Sequence, residues 1–296
     1  MSDCSSCPSK AQGGAGGIDD KLVKQDTAIA NTLSRIRYKL FVMSGKGGVG
    51  KSSITVNLAA VLANMGYKVG IMDVDIHGPS VPAMLGLGSG LETAEDKRIL
   101  PQQYNERLSV VSMDSLLKDR NQAVLWRGPM KHSAIRQFIA DVAWGDLDFL
   151  VIDSPPGTGD EHMTVLKTIP DALCVVVTTP QEVSLADVRK AINFLQYAKA
   201  NILGVVENMS GLCCPHCGGD ISLFKKGGGL KLAEQYGLPF LGAVPLDPAT
   251  VVAGDRGAPV ALLEEESPAK RAFQALAATV ARAVTDSLEA AATIHS

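Results

Sequence analysis

The sequence that decides the fold is the glycine-rich stretch Gly45-Lys46-Gly47-Gly48-Val49-Gly50-Lys51-Ser52. An apolar run, Lys39–Met43, leads into it, and a helical pattern over Ser52–Met65 follows it. Glycines at these spacings let backbone N–H groups turn inward around a phosphate, and the N-terminus of the helix adds a favourable dipole. The stretch therefore predicts a phosphate-binding loop between a buried strand and a helix.

Outward from this loop, short apolar runs alternate with helical patterns. The runs typical of buried strands are Lys39–Met43, Lys68–Met72, Leu108–Ser112, Asp148–Ile152, Ala172–Thr178, Ile202–Val206 and Phe240–Val244. The clearest helical patterns are Ser52–Met65, Met130–Ala143, Ser184–Ala200 and Pro268–Ala290. Strands that are apolar throughout and separated by helices indicate a mainly parallel sheet covered on both faces. We predict a doubly wound α/β domain over residues 19–296, opened by a peripheral helix at Asp19–Arg37, after a flexible tail over residues 1–18.

Composition argues against several classes of partner and location. The 28 basic and 31 acidic residues almost cancel, whereas nucleic-acid and anionic-membrane partners favour a basic excess. No apolar run approaches the roughly 20 residues of a membrane-spanning helix, and the N-terminus lacks the apolar block of a signal peptide. We therefore expect no nucleic-acid partner, no membrane partner and a cytoplasmic location. In that location the six cysteines are expected to be free thiols or metal ligands.

The loop matches the Walker A pattern at every fixed position. Lys51 is expected to bridge the β- and γ-phosphates of a bound nucleotide, and the Ser52 hydroxyl to bind Mg²⁺. The remaining nucleotide-binding positions predicted in this segment are Gly45, Lys46, Gly47, Gly48, Val49, Gly50 and Ser53. The sequence therefore predicts a nucleoside triphosphatase.

Two carboxylates follow predicted strands where a parallel sheet binds its ligands. Asp75 lies just after Lys68–Met72, and Asp153 comes directly after Asp148–Ile152. The carboxyl ends of the strands form the ligand-binding edge of such a sheet. Each carboxylate is therefore either part of the nucleotide site or the N-cap of a helix.

The second lysine of the loop makes the comparison more specific. With Lys46, the segment resembles the deviant Walker A of the MinD/ParA/nitrogenase-iron-protein group of ATPases. That resemblance implies that Lys46 reaches the nucleotide of a partner subunit; the alternative is a solvated surface lysine. It also assigns Asp75 to switch I, where it orients or deprotonates the attacking water or acts through Mg²⁺. Asp153 then holds the Mg²⁺ shell, and the Gly157 N–H senses the γ-phosphate.

The same resemblance identifies a base pocket. By this resemblance, Asn208 corresponds to the adenine-reading asparagine of the group. An amide suits adenine because it both donates to N7 and accepts from the exocyclic amine. Pro245 and Asp247 correspond to the second part of the pocket. The guanine-reading Asn-Lys-x-Asp pattern does not occur in the sequence. ATP is therefore favoured over GTP.

Cys214 and Cys217 form a Cys-x-x-Cys pair shortly after Asn208. Two cysteines at this spacing direct both sulfurs to one metal, but zinc, iron–sulfur and redox roles all remain open. Zinc or a [4Fe–4S] cluster normally takes four ligands. A two-fold axis between identical subunits supplies the missing pair.

The combination of motifs resembles the Mrp/Nbp/ApbC-type iron–sulfur carrier ATPases over roughly residues 20 to 285. The segments that carry this resemblance are G-K-G-G-V-G-K-S (45–52), D-V-D-I-H-G-P-S (73–80), W-R-G-P-M (126–130), D-S-P-P-G-T-G-D (153–160) and N-M-S-x3-C-P-H-C (208–217). The resemblance implies a homodimer in which Cys214 and Cys217 bind a labile [4Fe–4S] cluster. ATP is then used to load clusters from donor or scaffold proteins or to pass them to apo-proteins.

The chain also departs from the family pattern. The eukaryotic branch has a four-cysteine N-terminal motif, whereas only Cys4 and Cys7 are present here. These two are either a transient docking site or simple tail residues. Cys213 is either an alternate ligand or a spectator, and Cys174 is expected to be a buried core residue.

Three rival interpretations remain open. A MinD/ParA-type positioning ATPase would bind membrane or DNA, and the amphipathic stretch Ala269–Ala290 would then be an anchor. This stretch carries few cations, which favours a helix packed on the core. A reductase like the nitrogenase iron protein uses single, well-separated cysteines, and a structural zinc shared by a dimer is the third alternative.

Overall fold

The computed structural model describes residues 15–75, 78–88, 90–113, 128–214, 217, 219–221 and 223–294. Several residues singled out in the sequence lie outside these ranges: Cys4, Cys7, His77, Trp126, Arg127 and His216. Within the described residues, the backbone forms one large sheet with helices on both faces.

The helices begin and end as follows: α1 Ala15–Ser34, α2 Lys51–Asn64, α3 Val81–Met84, α4 Gly128–Asp141, α5 Asp160–Thr168, α6 Glu182–Tyr197, α7 Gly228–Tyr236, α8 Pro248–Asp255 and α9 Pro268–Ile294. The strands are β1 Ile36–Ser44, β2 Val69–Asp73, β3 Glu92–Thr93, β4 Ile99–Leu100, β5 Gln102–Asn105, β6 Leu108–Ser112, β7 Leu147–Asp153, β8 Leu173–Thr178, β9 Asn201–Cys213, β10 Asp220–Ile221 and β11 Phe240–Leu246.

The main sheet has the order β10-β9-β8-β1-β7-β2-β6-β5, and β11 pairs with β9. Every pairing within it is parallel except β5 with β6 and β10 with β9. The prediction of a doubly wound, mainly parallel sheet is confirmed. The strand that precedes the phosphate loop, β1, lies between β8 and β7, in the middle of the sheet.

Side chains along β1 alternate between the two faces of the sheet, and this explains why helices cover both faces. Leu40 and Val42 belong to the hydrophobic layer that α2 and α9 complete, whereas Phe41 and Met43 belong to the opposite layer. Successive side chains of a strand point to opposite faces, so a strand that is apolar throughout must be covered twice. All four side chains are fully buried.

The structure also corrects several predicted boundaries. The first helix begins at Ala15 rather than Asp19, although Gly16 and Gly17 are poor helix formers. The short helices α5, α7 and α8 were not predicted, because eight or nine residues give too few turns for a clear periodicity.

The prediction for the strand at Ile202–Val206 was wrong at its C-terminal end. This strand, β9, continues to Cys213, because β11 pairs with it as far as Leu212 and β10 pairs with Leu212 and Cys213. Asn208 therefore lies within a strand rather than just past one. Pro245 likewise lies inside β11, which is possible because β11 pairs with β9 alone.

The C-terminal helix α9 packs on the core, as its few cations predicted. Phe273, Leu276, Val280 and Val284 are buried in the same layer as α2. None of the helices in the described ranges has the length and apolar character needed to cross a bilayer.

Candidate functional site

The phosphate loop lies between β1 and α2, and its glycines are required by geometry. Gly48 and Gly50 have φ angles of 78° and 79°, in the left-handed region that residues with a side chain rarely adopt. A Cβ on Gly45 would lie 2.4 Å from the carbonyl carbon of Asp187 in α6. A Cβ on Gly50 would lie 2.2 Å from Nδ2 of Asn208. The loop is therefore held tightly between α6 and β9.

Asp153, the last residue of β7, connects the loop to the sheet. Its Oδ2 accepts a hydrogen bond from the Ser52 hydroxyl at 2.6 Å, and its Oδ1 accepts one from the Thr55 hydroxyl at 2.7 Å. The Lys51 ammonium lies 2.9 Å from Oδ1 of the same carboxylate. Asp153 is fully buried, so its negative charge depends on these three donors.

This arrangement fits a magnesium nucleotide. Mg²⁺ prefers hard oxygen ligands, and the Ser52 hydroxyl and the Asp153 carboxylate are already next to each other at the edge of the loop. Ser52 would hold the ion directly, and Asp153 would hold its water shell. When bound, Mg²⁺ neutralises charge on the phosphate oxygens. Lys51 is then free to leave Asp153 for the phosphates.

At the same edge, Asp73 is the last residue of β2 and Asp75 follows this strand. Asp73 pairs with Asp153 in the register of β2 with β7. Burial and the nearby Asp153 carboxylate hold the pKa of Asp73 well above its usual value. Asp73 accepts a hydrogen bond from the Asp75 backbone N–H at 3.0 Å, and Asp75 accepts one from the Gly78 N–H at 3.2 Å. Asp73 thus fixes the turn that carries Asp75, a role that the sequence did not indicate.

The segment after β7 lies against the end of β1, next to the phosphate loop. The Gly157 N–H, which the family resemblance assigns to the γ-phosphate, donates to the Ser44 carbonyl at 3.1 Å. The Ser154 N–H donates to the Val42 carbonyl at 3.2 Å. Gly157 has a φ of 88°, so only glycine fits without strain. Its N–H must leave Ser44 before it contacts a nucleotide.

A cavity of about 480 Å³ lies beside the loop and contains the predicted base pocket. Asn208, Pro245 and Asp247 all line it, together with Gly50, Ser53 and Met209. The Asn208 amide donates to the Val49 carbonyl at 2.9 Å, which attaches the pocket wall to the loop. The Asp247 carboxylate accepts the N–H groups of Ala249 and Ala269, so it caps α8 and contacts the start of α9.

Lys46 lies at the start of the loop with a half-buried side chain. Its backbone carbonyl accepts a hydrogen bond from the Ser44 hydroxyl at 2.9 Å. The structure thus fixes the backbone of Lys46 but contains no partner subunit. The role of Lys46 across a dimer remains a prediction.

The cysteine pair lies in a hairpin at the end of β9. Cys213 pairs with Asp220 and Leu212 with Ile221, and the Cys214 N–H donates to the Gly219 carbonyl at 2.8 Å. Cys214 is half-buried and Cys217 is exposed. Both thiols therefore belong to the connection between β9 and β10. In the described part of the chain, no group of three or more Cys, His, Asp or Glu side chains is arranged to hold a metal.

Cys174 is unlike this pair. It lies in β8, fully buried among apolar side chains, as predicted. Burial raises the pKa of its thiol to about 12. It is therefore unreactive as a thiolate ligand.

His162 lies in the first turn of α5, and its side chain is buried. Its Nδ1 accepts a hydrogen bond from the Gly159 N–H at 3.1 Å, and its ring lies edge-on to Phe41 and Phe194. Among the described residues its Nε2 has no hydrogen-bond partner. Burial lowers the pKa of His162 from 6.5 to about 4. The ring is therefore neutral in the folded protein at neutral pH.

Acidification should destabilise the protein through His162. Because the folded pKa lies below the unfolded one, unfolding takes up a proton between pH 6.5 and pH 4, and stability falls as pH falls through that window. The full loss is about 3 kcal/mol. His162→Asn keeps an acceptor for Gly159 but cannot titrate. Urea unfolding from pH 7 to pH 4 should give a smaller decline for the variant; parallel curves would contradict the prediction.

The chain is similar to known proteins in both sequence and fold. The family model of the ParA type described as NUBPL iron-transfer P-loop NTPase matches residues 35–281. The chain belongs to this family. The match runs from β1 to about the middle of α9 and includes the phosphate loop, the predicted base pocket and the cysteine hairpin.

Relatives of this iron-transfer P-loop NTPase have related names. The iron-sulfur cluster carrier protein of Methanocaldococcus jannaschii is 46% identical over 262 residues, covering 88% of this chain and 90% of that protein. The cytosolic Fe-S cluster assembly factor CFD1 of Saccharomyces cerevisiae is 48% identical over 231 residues, covering 75% and 78%. A solved nucleotide-binding protein from Archaeoglobus fulgidus in complex with ADP has a TM-score of 0.72 at 37% identity, covering 84% and 96%.

These findings confirm the resemblance to iron–sulfur carrier ATPases and the P-loop fold. The roles of individual residues stay predictions. Sequence reasoning missed Thr55, Asp73 and Glu207, each of which makes a buried polar contact at this edge. A signal for Thr55 was present, because it lies three residues after Ser52 and so on the same helix face.

Proposed function

We propose that this iron-transfer P-loop NTPase hydrolyses ATP and carries a [4Fe–4S] cluster between two identical subunits. In this proposal the cluster is cargo, received from a scaffold or donor protein and passed to apo-proteins. The site of action is the cytoplasm. The names of the relatives support cluster transfer, and the contacts around Asp153 support nucleotide hydrolysis.

The observation that carries the proposal is the length of β9. This strand lines the base pocket with Asn208 and continues to Cys213, where the hairpin with Cys214 and Cys217 begins. Between Asn208 and Leu212 its pairing with β11 is irregular, and Met209 and Gly211 have positive φ angles. Asn208 and Cys214 are only six positions apart, so a change at the nucleotide reaches the thiols over a short path. A base pocket on β9 and a thiol pair directly after this strand suit a carrier whose hold on its cluster is controlled by nucleotide.

The hydrolysis chemistry follows from the residues at the sheet edge. Lys51 leaves Asp153 to contact the β- and γ-phosphates, and Ser52 contributes a ligand to the magnesium ion. Asp75 orients the attacking water or removes its proton. Lys46 of one subunit stabilises charge at the nucleotide of the other, as an arginine finger does. Hydrolysis thereby depends on the dimer that also holds the cluster.

Two subunits are needed to complete the cargo site. A [4Fe–4S] cluster takes four thiolates, and each hairpin offers the pair Cys214 and Cys217. A two-fold axis through the hairpins brings the two pairs together. The exposure of Cys217 suits a cluster that must be released.

Anaerobic purification followed by Mössbauer spectroscopy and size measurement tests this proposal. A dimer with the spectrum of a [4Fe–4S] cluster is the expected result. Zinc in a dimer would favour the structural-metal alternative, and a metal-free protein that sediments with liposomes or DNA in ATP would favour a positioning ATPase. The buried apolar face of α9 already argues against a membrane anchor in this helix.

A further inference from the structure

The second half of β9 extends beyond the end of its neighbour β8. The parallel pairing with β8 ends at Thr178 opposite Glu207. From Asn208 onward, β9 is bordered by β11 and, at its tip, by β10. This extension carries the base pocket at one end and the cysteine hairpin at the other. The position of this extension therefore depends on the contacts that it makes on the side where β8 has ended.

Glu207, the residue at the start of the extension, provides that attachment. The side chain is fully buried. Its Oε1 accepts hydrogen bonds from the Ser210 hydroxyl at 2.5 Å and the Gly227 N–H at 2.9 Å, and its Oε2 accepts one from the Gly229 N–H at 2.5 Å. These N–H groups belong to the N-terminus of α7, where a negative charge is favourable. One carboxylate thus joins β9 to a helix twenty residues further along.

Glycines permit this close contact. A Cβ on Gly229 would lie 3.0 Å from the Cβ of Glu207, and one on Gly228 would lie 2.9 Å from the Pro180 carbonyl oxygen. On the hairpin side, Gly211 has a φ of 74°, and a Cβ there would lie 1.9 Å from Cε of Lys226. The segment from Lys226 to Gly229 therefore packs against β9 both at Glu207 and near the cysteines.

Neighbouring residues of β9 contact different parts of the protein. Asn208 donates to the Val49 carbonyl in the phosphate loop, whereas Glu207 binds the N-terminus of α7. Side chains alternate between the two sides of a strand, so these contacts hold the strand from opposite sides. A displacement of Asn208 by a nucleotide must strain or move the contacts of Glu207.

We propose that Glu207 is a positioning residue that transmits the state of the nucleotide pocket to the cysteine hairpin. The inference rests on the proposed function and adds to it the residue through which the two sites are coupled. The competing possibility is that Glu207 only caps α7. A cap stabilises the fold but leaves the response of the hairpin to nucleotide intact.

The rate at which a small alkylating reagent modifies Cys217 separates these possibilities. The rate is measured on metal-free protein with and without saturating Mg-ATP, and tandem mass spectrometry assigns the modified cysteine. Coupling between two sites typically amounts to about 5- to 150-fold, so the wild-type rate should change by about fivefold or more. In Glu207→Gln the rate should be the same with and without nucleotide.

Asp148→Asn is the matched control. The Asp148 carboxylate also accepts a backbone N–H, that of Lys68 at 2.7 Å, but at the opposite edge of the sheet. This control should respond as the wild type does. Ser210→Ala, which removes a single hydrogen bond to Glu207, should reduce the response and carries the test if Glu207→Gln does not fold.

Equal nucleotide responses in wild type, Glu207→Gln and Ser210→Ala would overturn the inference and leave Glu207 as a cap. An unresponsive wild type would overturn it too. Because the protein in this assay holds no metal, a failure to bind a cluster would count against the proposed function without affecting this result.

Discussion

Lys51→Ala should reduce the steady-state rate of ATP hydrolysis by at least about 100-fold, since preorganised charges around a transferring phosphoryl group are worth that much or more. The Lys51 ammonium lies 2.9 Å from Asp153 and 3.5 Å from the Ser52 hydroxyl, inside the phosphate loop. No other lysine in the described residues pairs with Asp153. The variant therefore has no obvious substitute for the lost charge.

The same substitution also removes a buried ion pair, so loss of folding must be separated from loss of chemistry. Lys39→Ala is a suitable control, because Lys39 is a buried lysine within β1, away from the phosphate loop. Its ammonium lies 2.8 Å from Asp171, a distance close to that of the pair in the loop. Each substitution removes a buried lysine from an ion pair, although the partner of Lys39, Asp171, is 60% exposed, whereas Asp153 is buried. Only Lys51 lies in the phosphate loop.

The measurement is phosphate release at saturating ATP, with circular dichroism and ADP binding followed for both variants. Lys39→Ala should hydrolyse ATP at a rate close to that of the wild type. If Lys51→Ala were folded and turned over ATP at the wild-type rate, the chemistry assigned to the phosphate loop would be wrong. Equal losses in both variants would indicate a general effect of destabilisation.

The parts of this protein that local chemistry fixes were predictable from the sequence. The spacing of Gly45, Gly50 and Lys51 requires a strand, a tight loop and a helix, and β1 and α2 occupy those positions. Apolar runs such as Leu108–Ser112 coincide with the observed strand, because a strand buried on both faces favours apolar or small residues at every position. The two serines of this run, Ser109 and Ser112, are themselves buried. These features depend on residues near one another in the chain.

Features that depend on distant pairing were not predictable in the same way. The extension of β9 to Cys213 contains Asn208, Ser210 and Gly211, which do not favour a strand by themselves. It exists because β11 and β10 supply backbone partners. In the sequence, nothing distinguishes Glu207 from the other acidic residues. Its backbone partners, Gly227 and Gly229, are twenty or more positions away.

The buried carboxylates of the site illustrate the same limit. In the sequence, Asp73 and Asp75 are two positions apart beside one strand, and only Asp75 was assigned a role, through the family resemblance. The structure distinguishes them, because Asp73 lies in register with Asp153 and holds the Asp75 N–H. Strand order determines which carboxylates become neighbours, and the order β7-β2 follows from packing of the whole sheet rather than from either segment.

Replacing both Cys214 and Cys217 by alanine should abolish cluster uptake while leaving the fold intact. The hairpin is closed by backbone contacts, Cys213 with Asp220 and the Cys214 N–H with the Gly219 carbonyl, and alanine retains all of these. After anaerobic reconstitution, iron should fall from about four atoms per dimer to nearly none, because a [4Fe–4S] cluster is held by four thiolates. Iron and sulfide analysis and the absorbance of the cluster provide the measurement.

Cys174→Ala is the matched control for this pair, because it also removes a cysteine but from inside β8. Its thiol is fully buried and burial raises its pKa to about 12, so it cannot serve as a ligand in the folded protein. This control should take up iron and sulfide as the wild type does. Equal uptake by the wild type and the double variant would contradict a bridge built from Cys214 and Cys217. Single variants add a further constraint: because each substitution removes two of the four ligands of a symmetric dimer, either one alone should lose most of the cluster.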